Sequence, residues 1–66
     1  MKFASSKEFT DGEKKLWDRL RAAYPAGTND WAFHCLPLHR MHGSTYVPDV
    51  LILGREIGLV IIEVKD

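Results

Sequence analysis

The chain has 66 residues, 45% of them apolar, and its nine basic residues balance nine acidic ones. This length allows one small folding unit, which buries only about 60% of its unfolded surface, so we expect marginal stability. The zero net charge excludes a bulk positive field that would hold nucleic acid nonspecifically. A single cysteine excludes an intrachain disulfide. The sequence also shows no apolar core of a signal peptide and no apolar run long enough to span a membrane. We therefore expect a cytoplasmic location and no membrane partner.

The amino-terminal part predicts a flexible segment followed by a helix. Residues 1–9 are mostly polar, and we expect the folded unit to occupy residues 10–66. Thr10 and Glu13 fit a capping box, the side-chain pattern that begins a helix. Apolar residues then recur at helical spacing and predict one buried face: Leu16, Trp17, Leu20 and Tyr24. Pro25 and Gly27 are expected to end the helix.

The middle of the chain predicts one strand and one loop. Residues 31–38 alternate well enough for a strand, with Trp31, Phe33 and Cys35 on one side. Pro37 restricts this strand to an edge or ends it. We expect Trp31 and Phe33 to belong to the core. Residues 39–45 have the composition of a loop.

The last 21 residues, 46–66, predict a β-hairpin. Two runs rich in Val, Ile and Leu, Val50–Leu53 and Gly58–Val64, flank a short polar link that contains Gly54. With the helix and the strand before it, this hairpin predicts an α/β fold, in which the amino-terminal helix packs on an antiparallel sheet of about three strands.

Side-chain alternation predicts a pair of carboxylates on this hairpin. When Leu53 and Leu59 close the turn, counting back two residues at a time places Asp49 opposite Glu63. Two carboxylates roughly 5 Å apart repel by about 3 kcal/mol at an effective dielectric constant of about 20. The pair therefore needs a shared proton or a cation, and Lys65 and a hard divalent metal ion are the two candidates.

These residues resemble a known signature. Pro48-Asp49 followed by Glu63-x-Lys65 is similar to the PD-(D/E)xK motif of the restriction-endonuclease-like superfamily. With Asp11-Gly12-Glu13 at the start of a helix, the chain resembles the nuclease-related domain of bacterial proteins, from about Phe9 to Asp66. The resemblance implies a truncated restriction-endonuclease-like core, and we expect the domain to continue beyond Asp66.

The resemblance also implies a chemistry. It implies hydrolysis of DNA phosphodiester bonds within a larger DNA-processing protein, whose further domains would include, for example, a helicase. Asp49, Glu63 and the Val64 carbonyl would hold Mg²⁺ or Mn²⁺, and two carboxylates with open positions also suit Mg²⁺ on chemical grounds. Lys65 would hold the attacking water or the phosphate, and Glu13 would support the site.

Other interpretations stay open. Glu13 also fits a role limited to the capping box. Acting both in the capping box and in support of the metal site would require its side chain to exchange partners. Glu63 and Lys65 also fit a weak surface ion pair. At the level of function, the alternatives are a catalytically silent module of the same fold that binds nucleic acid or docks a protein, and a structural fragment.

Three histidines and the cysteine lie close together in the sequence, at His34, Cys35, His39 and His42. Their spacing matches no closed tetrahedral zinc pattern, and Pro37 interrupts the segment. We therefore expect scattered strand and loop residues here. Nothing in the sequence assigns a base to Cys35, so a nucleophilic role is not predicted.

Overall fold

The computed structural model describes residues 1–24, 29–39 and 43–65, and this part of the chain has one helix and two small sheets. The elements are, in chain order, β1 (Lys2–Ser5), α1 (Asp11–Ala23), β2 (Trp31–His34), β3 (Leu38–His39), β4 (Thr45–Tyr46), β5 (Val50–Gly54) and β6 (Gly58–Ile62). The larger sheet has the order β1-β2-β5-β6, and β3 pairs with β4 in the smaller one. The α/β class expected from the sequence is therefore confirmed.

In the part of the chain that the structure describes, no helix has both the length and the apolar composition that crossing a membrane requires.

Helix α1 begins as the sequence predicts. The hydroxyl of Thr10 accepts a hydrogen bond from the backbone N–H of Glu13 at 3.3 Å. In return, the backbone N–H of Thr10 donates to Oε1 of Glu13 at 3.2 Å, which completes the capping box. The helix ends at Ala23, whereas the proposed helix-ending residues Pro25 and Gly27 lie outside the described residues.

Residues 1–9, which the sequence predicts to be a flexible segment, include strand β1 at residues 2–5. This strand runs parallel to β2, and the backbone N–H of Lys2 donates to the carbonyl of Asp30 at 2.8 Å. Met1 is buried and Phe3 packs against the core, so these two side chains hold β1 in place. The main sheet is consequently mixed and has four strands, whereas the sequence predicted about three antiparallel strands.

The strand expected over residues 31–38 is shorter in the structure. It ends at His34, because Cys35 adopts a left-handed backbone conformation, with φ of 54°. Leu38 belongs instead to β3, which pairs with β4 across part of the segment predicted as a loop.

The hairpin of β5 and β6 has the predicted register. Leu53 pairs with Leu59, and the ladder continues to Val50 opposite Ile62. The turn between the strands covers residues 55–57, and Gly58 follows it with φ of 72°, a conformation that glycine adopts without steric cost.

The two faces of the main sheet differ in what covers them. One face packs against α1 through a core formed by Met1, Trp17, Ala32, Val50 and Ile52. The other face carries four exposed apolar side chains, namely those of Trp31, Leu53, Leu59 and Ile61. The expectation that Trp31 lies in the core is therefore wrong, although its ring stacks on Phe33 at 5.5 Å between centroids.

This exposed face leads to a prediction about association. Leu59 is 59% exposed on β6, which is an edge strand of the sheet. Exposed apolar side chains on an unpaired edge favour pairing with other copies of a chain. We expect Leu59→Lys to reduce concentration-dependent association in sedimentation velocity. Ala22→Lys adds the same charge to the exposed side of α1 and should have no comparable effect, and equal behaviour of the two variants would contradict the prediction.

Candidate functional site

One row of paired residues crosses the main sheet at one end. Ser5 pairs with His34, His34 with Val50, and Val50 with Ile62. The chain enters or leaves the sheet immediately beyond this row, at Cys35, Asp49 and Glu63. The register therefore brings residues that are distant in the sequence to one end of the sheet. Ser5 and Glu63, for example, are 58 positions apart.

Asp49 is held in a defined position at this end of the sheet. Its Oδ2 accepts a hydrogen bond from the backbone N–H of Val64 at 2.7 Å. Its backbone carbonyl accepts another hydrogen bond, from the N–H of Cys35, at 3.1 Å. The half-buried Asp49 thus connects the end of β2 with the chain that leaves β6.

Glu63 and Lys65 are more exposed than Asp49. Glu63 lies one position beyond the last paired residue of β6, and its Oε1 accepts a hydrogen bond from the hydroxyl of Tyr46. Extending the register by one step places Glu63 opposite Asp49, as the sequence predicts, but the two carboxylates bind different hydrogen-bond donors.

Glu13 and His34 form a buried polar pair under the first turn of α1. Oε1 of Glu13 lies 2.8 Å from Nε2 of His34, and the two residues are only 8% and 2% exposed. The other ring nitrogen, Nδ1, lies 2.8 Å from Oγ of Ser5. Phe9 stacks on the imidazole at 4.0 Å between ring centroids, so ring position and orientation are both fixed.

The hydroxyl of Ser5 has two possible acceptors for its single proton, because its oxygen lies 3.1 Å from the carbonyl of Lys7 and 2.8 Å from Nδ1 of His34. When Nε2 carries the imidazole proton, it donates to the carboxylate of Glu13 and Ser5 donates to Nδ1. When Nδ1 carries the proton, it donates to Ser5, which donates to Lys7, and the lone pair of Nε2 faces Glu13. The second tautomer is the one that leaves Nε2 available to a metal ion.

Cys35 completes a group of three potential metal ligands. Its Sγ lies 3.4 Å from Nε2 of His34, and one ligand atom from each of Glu13, His34 and Cys35 lies within 4.8 Å of the others. Burial raises the pKa of the Cys35 thiol, and the carboxylate of Glu13 raises it further. Lys7 opposes this rise in pKa, whereas the negative charge of Asp49 adds to it. The thiol of the metal-free protein is therefore less acidic than an ordinary cysteine, which does not favour nucleophilic catalysis.

The raised pKa gives a direct prediction. We expect the rate of Cys35 alkylation by iodoacetamide, measured against pH in the presence of a chelator, to rise with a midpoint above the usual range of cysteine. Glu13→Gln should lower this midpoint, because Glu13 raises the pKa of Cys35 more than the other nearby carboxylate, Asp49, does. Asp18→Asn removes an exposed carboxylate that is paired with Lys14 and should leave the midpoint unchanged. A midpoint within the usual range in the parent would contradict the prediction.

The sequence-predicted residues thus divide into two neighbouring groups. Asp49, Glu63 and Lys65 follow the β5–β6 ladder, whereas Glu13 contacts His34. The sequence pattern did not predict Ser5, His34 and Cys35 as a group with Glu13. It indicated that the core lies on the side of Trp31 and Phe33, whereas the structure buries Ala32 and His34. His39 does not belong to the group, since its Nδ1 lies 3.2 Å from the hydroxyl of Thr45. His42 lies outside the described residues.

Comparison of the chain with protein-family models, with curated proteins and with solved structures gives no significant match.

Proposed function

We propose that the protein is the amino-terminal part of a nuclease-related domain with a restriction-endonuclease-like core, and that it hydrolyses DNA phosphodiester bonds with Mg²⁺ or Mn²⁺. The observation that carries this proposal is the register of β5 and β6. Leu53 pairs with Leu59 and Val50 with Ile62, and continuing this ladder by one step would bring Asp49 opposite Glu63. Two carboxylates at adjacent strand ends supply the oxygen ligands that Mg²⁺ prefers.

The hydrogen bonds of Asp49 support a role as a metal ligand. Its Oδ2 is held by the N–H of Val64, which leaves Oδ1 to bind the ion. The same contact draws the backbone of Val64 towards Asp49, so the Val64 carbonyl is a third candidate oxygen ligand. Glu63 would bind through the oxygen that does not accept from Tyr46, or by displacing that hydroxyl.

Chemical roles follow from these positions. The metal ion would lower the pKa of a bound water and offset negative charge on the phosphodiester in the transition state. Lys65 is exposed and lies two residues beyond Glu63, so its ammonium would position the attacking water or the phosphate as a point charge. DNA is the substrate that we propose, and further domains of the same protein would supply most of the contacts with it.

Glu13 supports this arrangement from the helix side of the sheet. Its carboxylate and that of Asp49 both raise the pKa of the Cys35 thiol, so both carboxylates lie near the same residue. Because Glu13 contacts His34 and the N–H of Thr10, we assign it a positioning role, in which it fixes the end of β2 next to Asp49.

The proposal is tested by the cleavage of plasmid DNA with Mg²⁺, with Mn²⁺ and with a chelator. We expect cleavage only with a divalent ion, and a decrease of about 100-fold or more in Asp49→Asn and Lys65→Met, the scale on which charge-stabilising groups act. Asp18→Asn and Lys15→Met change exposed charges on α1 and should retain the parent activity. Absence of divalent-dependent cleavage, with DNA binding retained, would instead support the catalytically silent module.

Thermal unfolding gives a second test that does not depend on activity. Asparagine can still accept the hydrogen bond from Val64, so Asp49→Asn should be neutral or stabilising without metal, since at most a few kcal/mol of repulsion is removed. Millimolar Mg²⁺ should stabilise the parent according to RT ln(1 + [L]/Kd) and should not stabilise the variant. A parent that is indifferent to Mg²⁺, together with a destabilised variant, would rule out the metal site.

A further inference from the structure

We propose that Glu13, His34 and Cys35 form a second, separate metal site, which binds a borderline transition-metal ion such as Zn²⁺ and joins the first turn of α1 to the end of β2. The three residues come from two elements, yet their ligand atoms lie within 4.8 Å of one another. The site differs from the Asp49–Glu63 pair in its ligands, because it offers one nitrogen, one sulfur and one oxygen.

Two of the three distances within the group are close to those around a tetrahedral ion, and the third is within 4.8 Å. Zinc bonds of about 2.0 Å to nitrogen and oxygen and about 2.3 Å to sulfur place neighbouring ligand atoms roughly 3.3–3.6 Å apart at tetrahedral angles. The sulfur of Cys35 already lies 3.4 Å from Nε2 of His34, and Oε1 of Glu13 lies 2.8 Å from the same nitrogen. Insertion of an ion therefore requires the carboxylate to move outward by about half an ångström.

His34 is oriented as a metal-binding histidine usually is. In the tautomer with a proton on Nδ1, the ring donates to Ser5, whose hydroxyl in turn donates to the carbonyl of Lys7. Metal-binding histidines commonly have such a partner on the second nitrogen, because it directs the other lone pair towards the ion. That lone pair is directed here at the position between Glu13 and Cys35.

The charges of the ligands favour a divalent ion of borderline softness. An ionised Glu13 and a Cys35 thiolate carry two negative charges, which one Zn²⁺ neutralises. A thiolate and an imidazole bind Zn²⁺ in preference to Mg²⁺, which selects oxygen ligands. Three protein ligands leave a fourth position for water, and that position would face the partly exposed side of Cys35.

The backbone of Cys35 is an independent observation in favour of the site. A non-glycine residue with φ of 54° lies in the left-handed region, which is unfavourable for an L-residue other than glycine, asparagine or aspartate. Such conformations concentrate at functional sites, where the rest of the fold enforces them. Glycine would fit this backbone with less strain, but only a cysteine in this position supplies the sulfur next to His34.

Cobalt substitution tests the proposal, because a cobalt–thiolate bond has its own near-ultraviolet charge-transfer band. We expect one equivalent of Co²⁺ to produce this band in the chelator-treated protein, and one equivalent of Zn²⁺ to abolish it by competition. Stoichiometric Zn²⁺ should also protect Cys35 of the parent from iodoacetamide, whereas Mg²⁺ should not. Cys35→Ser should abolish the band, and Ser5→Ala should weaken Zn²⁺ affinity by about 10–100-fold through the orientation of His34.

Matched variants separate this site from its alternatives. His39→Ala removes a histidine outside the group, and Asp49→Asn removes the proposed Mg²⁺ ligand, so both should retain the band. A parent with neither the band nor zinc protection would overturn the proposal and leave a hydrogen bond between His34 and Glu13. The same conclusion would follow from equal Zn²⁺ affinity in the parent and in Cys35→Ser. Neither result would bear on DNA cleavage, which is measured with different ions and different variants.

Discussion

Trp17→Ala is expected to unfold a large part of the population at room temperature. Trp17 is 3% exposed, and its ring packs against Phe3 at 5.2 Å and against Phe9 at 5.4 Å between centroids. Replacing a buried tryptophan by alanine costs about 3–5 kcal/mol, through lost burial and the cavity that remains. A chain of 66 residues is expected to have an unfolding free energy of only roughly 3–10 kcal/mol. We expect the variant to show a strongly reduced or absent cooperative transition in urea, followed by circular dichroism.

The second tryptophan provides the matched control. Trp31 is 36% exposed on the face of the sheet opposite α1, where it stacks on Phe33 and lies under the ammonium of Lys2 at 5.4 Å. The stacking and the cation–π contact contribute about 1 kcal/mol each at such a site, so Trp31→Ala should remain folded. Equal destabilisation by the two substitutions would show that the core does not lie between α1 and the sheet.

Local patterns in the sequence were sufficient for the helix and the hairpin. The capping box needs only Thr10 and Glu13, and the structure confirms both of its hydrogen bonds. The hairpin register follows from two apolar runs and a short link, because a shift of one residue would turn every apolar side chain to the opposite face. The helix start and the hairpin could be predicted because the residues that determine each of them lie close together in the sequence.

Strand β1 and the end of β2 could not be predicted in this way. Strand β1 pairs with β2 across α1, so its stability comes from a partner about 29 residues away and from the burial of Met1 and Phe3. A four-residue strand among polar neighbours has too short a pattern to be distinguished from a flexible end. The left-handed conformation of Cys35 is likewise invisible in the sequence, because the surrounding fold imposes it on a residue that does not prefer it.

The candidate sites show the same limit. The register that brings Asp49 and Glu63 to the same end of the hairpin could be predicted because both residues flank one pair of strands. The group of Glu13, His34 and Cys35 could not, because it depends on how α1 lies across the sheet. From the sequence, capping and support of a site were alternative roles for Glu13. In the structure, one of its carboxylate oxygens contacts both the N–H of Thr10 and the ring of His34.

This dual role makes Glu13→Ala the second substitution with a large expected effect. The change removes the return hydrogen bond of the capping box and leaves Nε2 of the buried His34 without its carboxylate partner. A lost capping interaction costs about 1 kcal/mol, and a buried polar atom left without a partner costs about 1–3 kcal/mol. We therefore expect a decrease of about 3 kcal/mol in the unfolding free energy, measured by urea denaturation in the presence of a chelator.

Two further variants identify the cause of that decrease. Asp11→Ala removes an exposed acidic residue from the same helical turn, and its only expected loss is the charge–dipole term of about 0.3–1 kcal/mol. Glu13→Gln keeps the shape of the side chain and an oxygen for Thr10, so its effect should fall between those of the other two. Glu13 differs from Asp11 in two contacts, namely the return hydrogen bond of the capping box and the buried contact with His34, although both residues are acidic and lie in the first turn. Similar effects for Glu13→Ala and Asp11→Ala would mean that neither contact contributes, and that the first turn of α1 is not held to the end of β2 through His34.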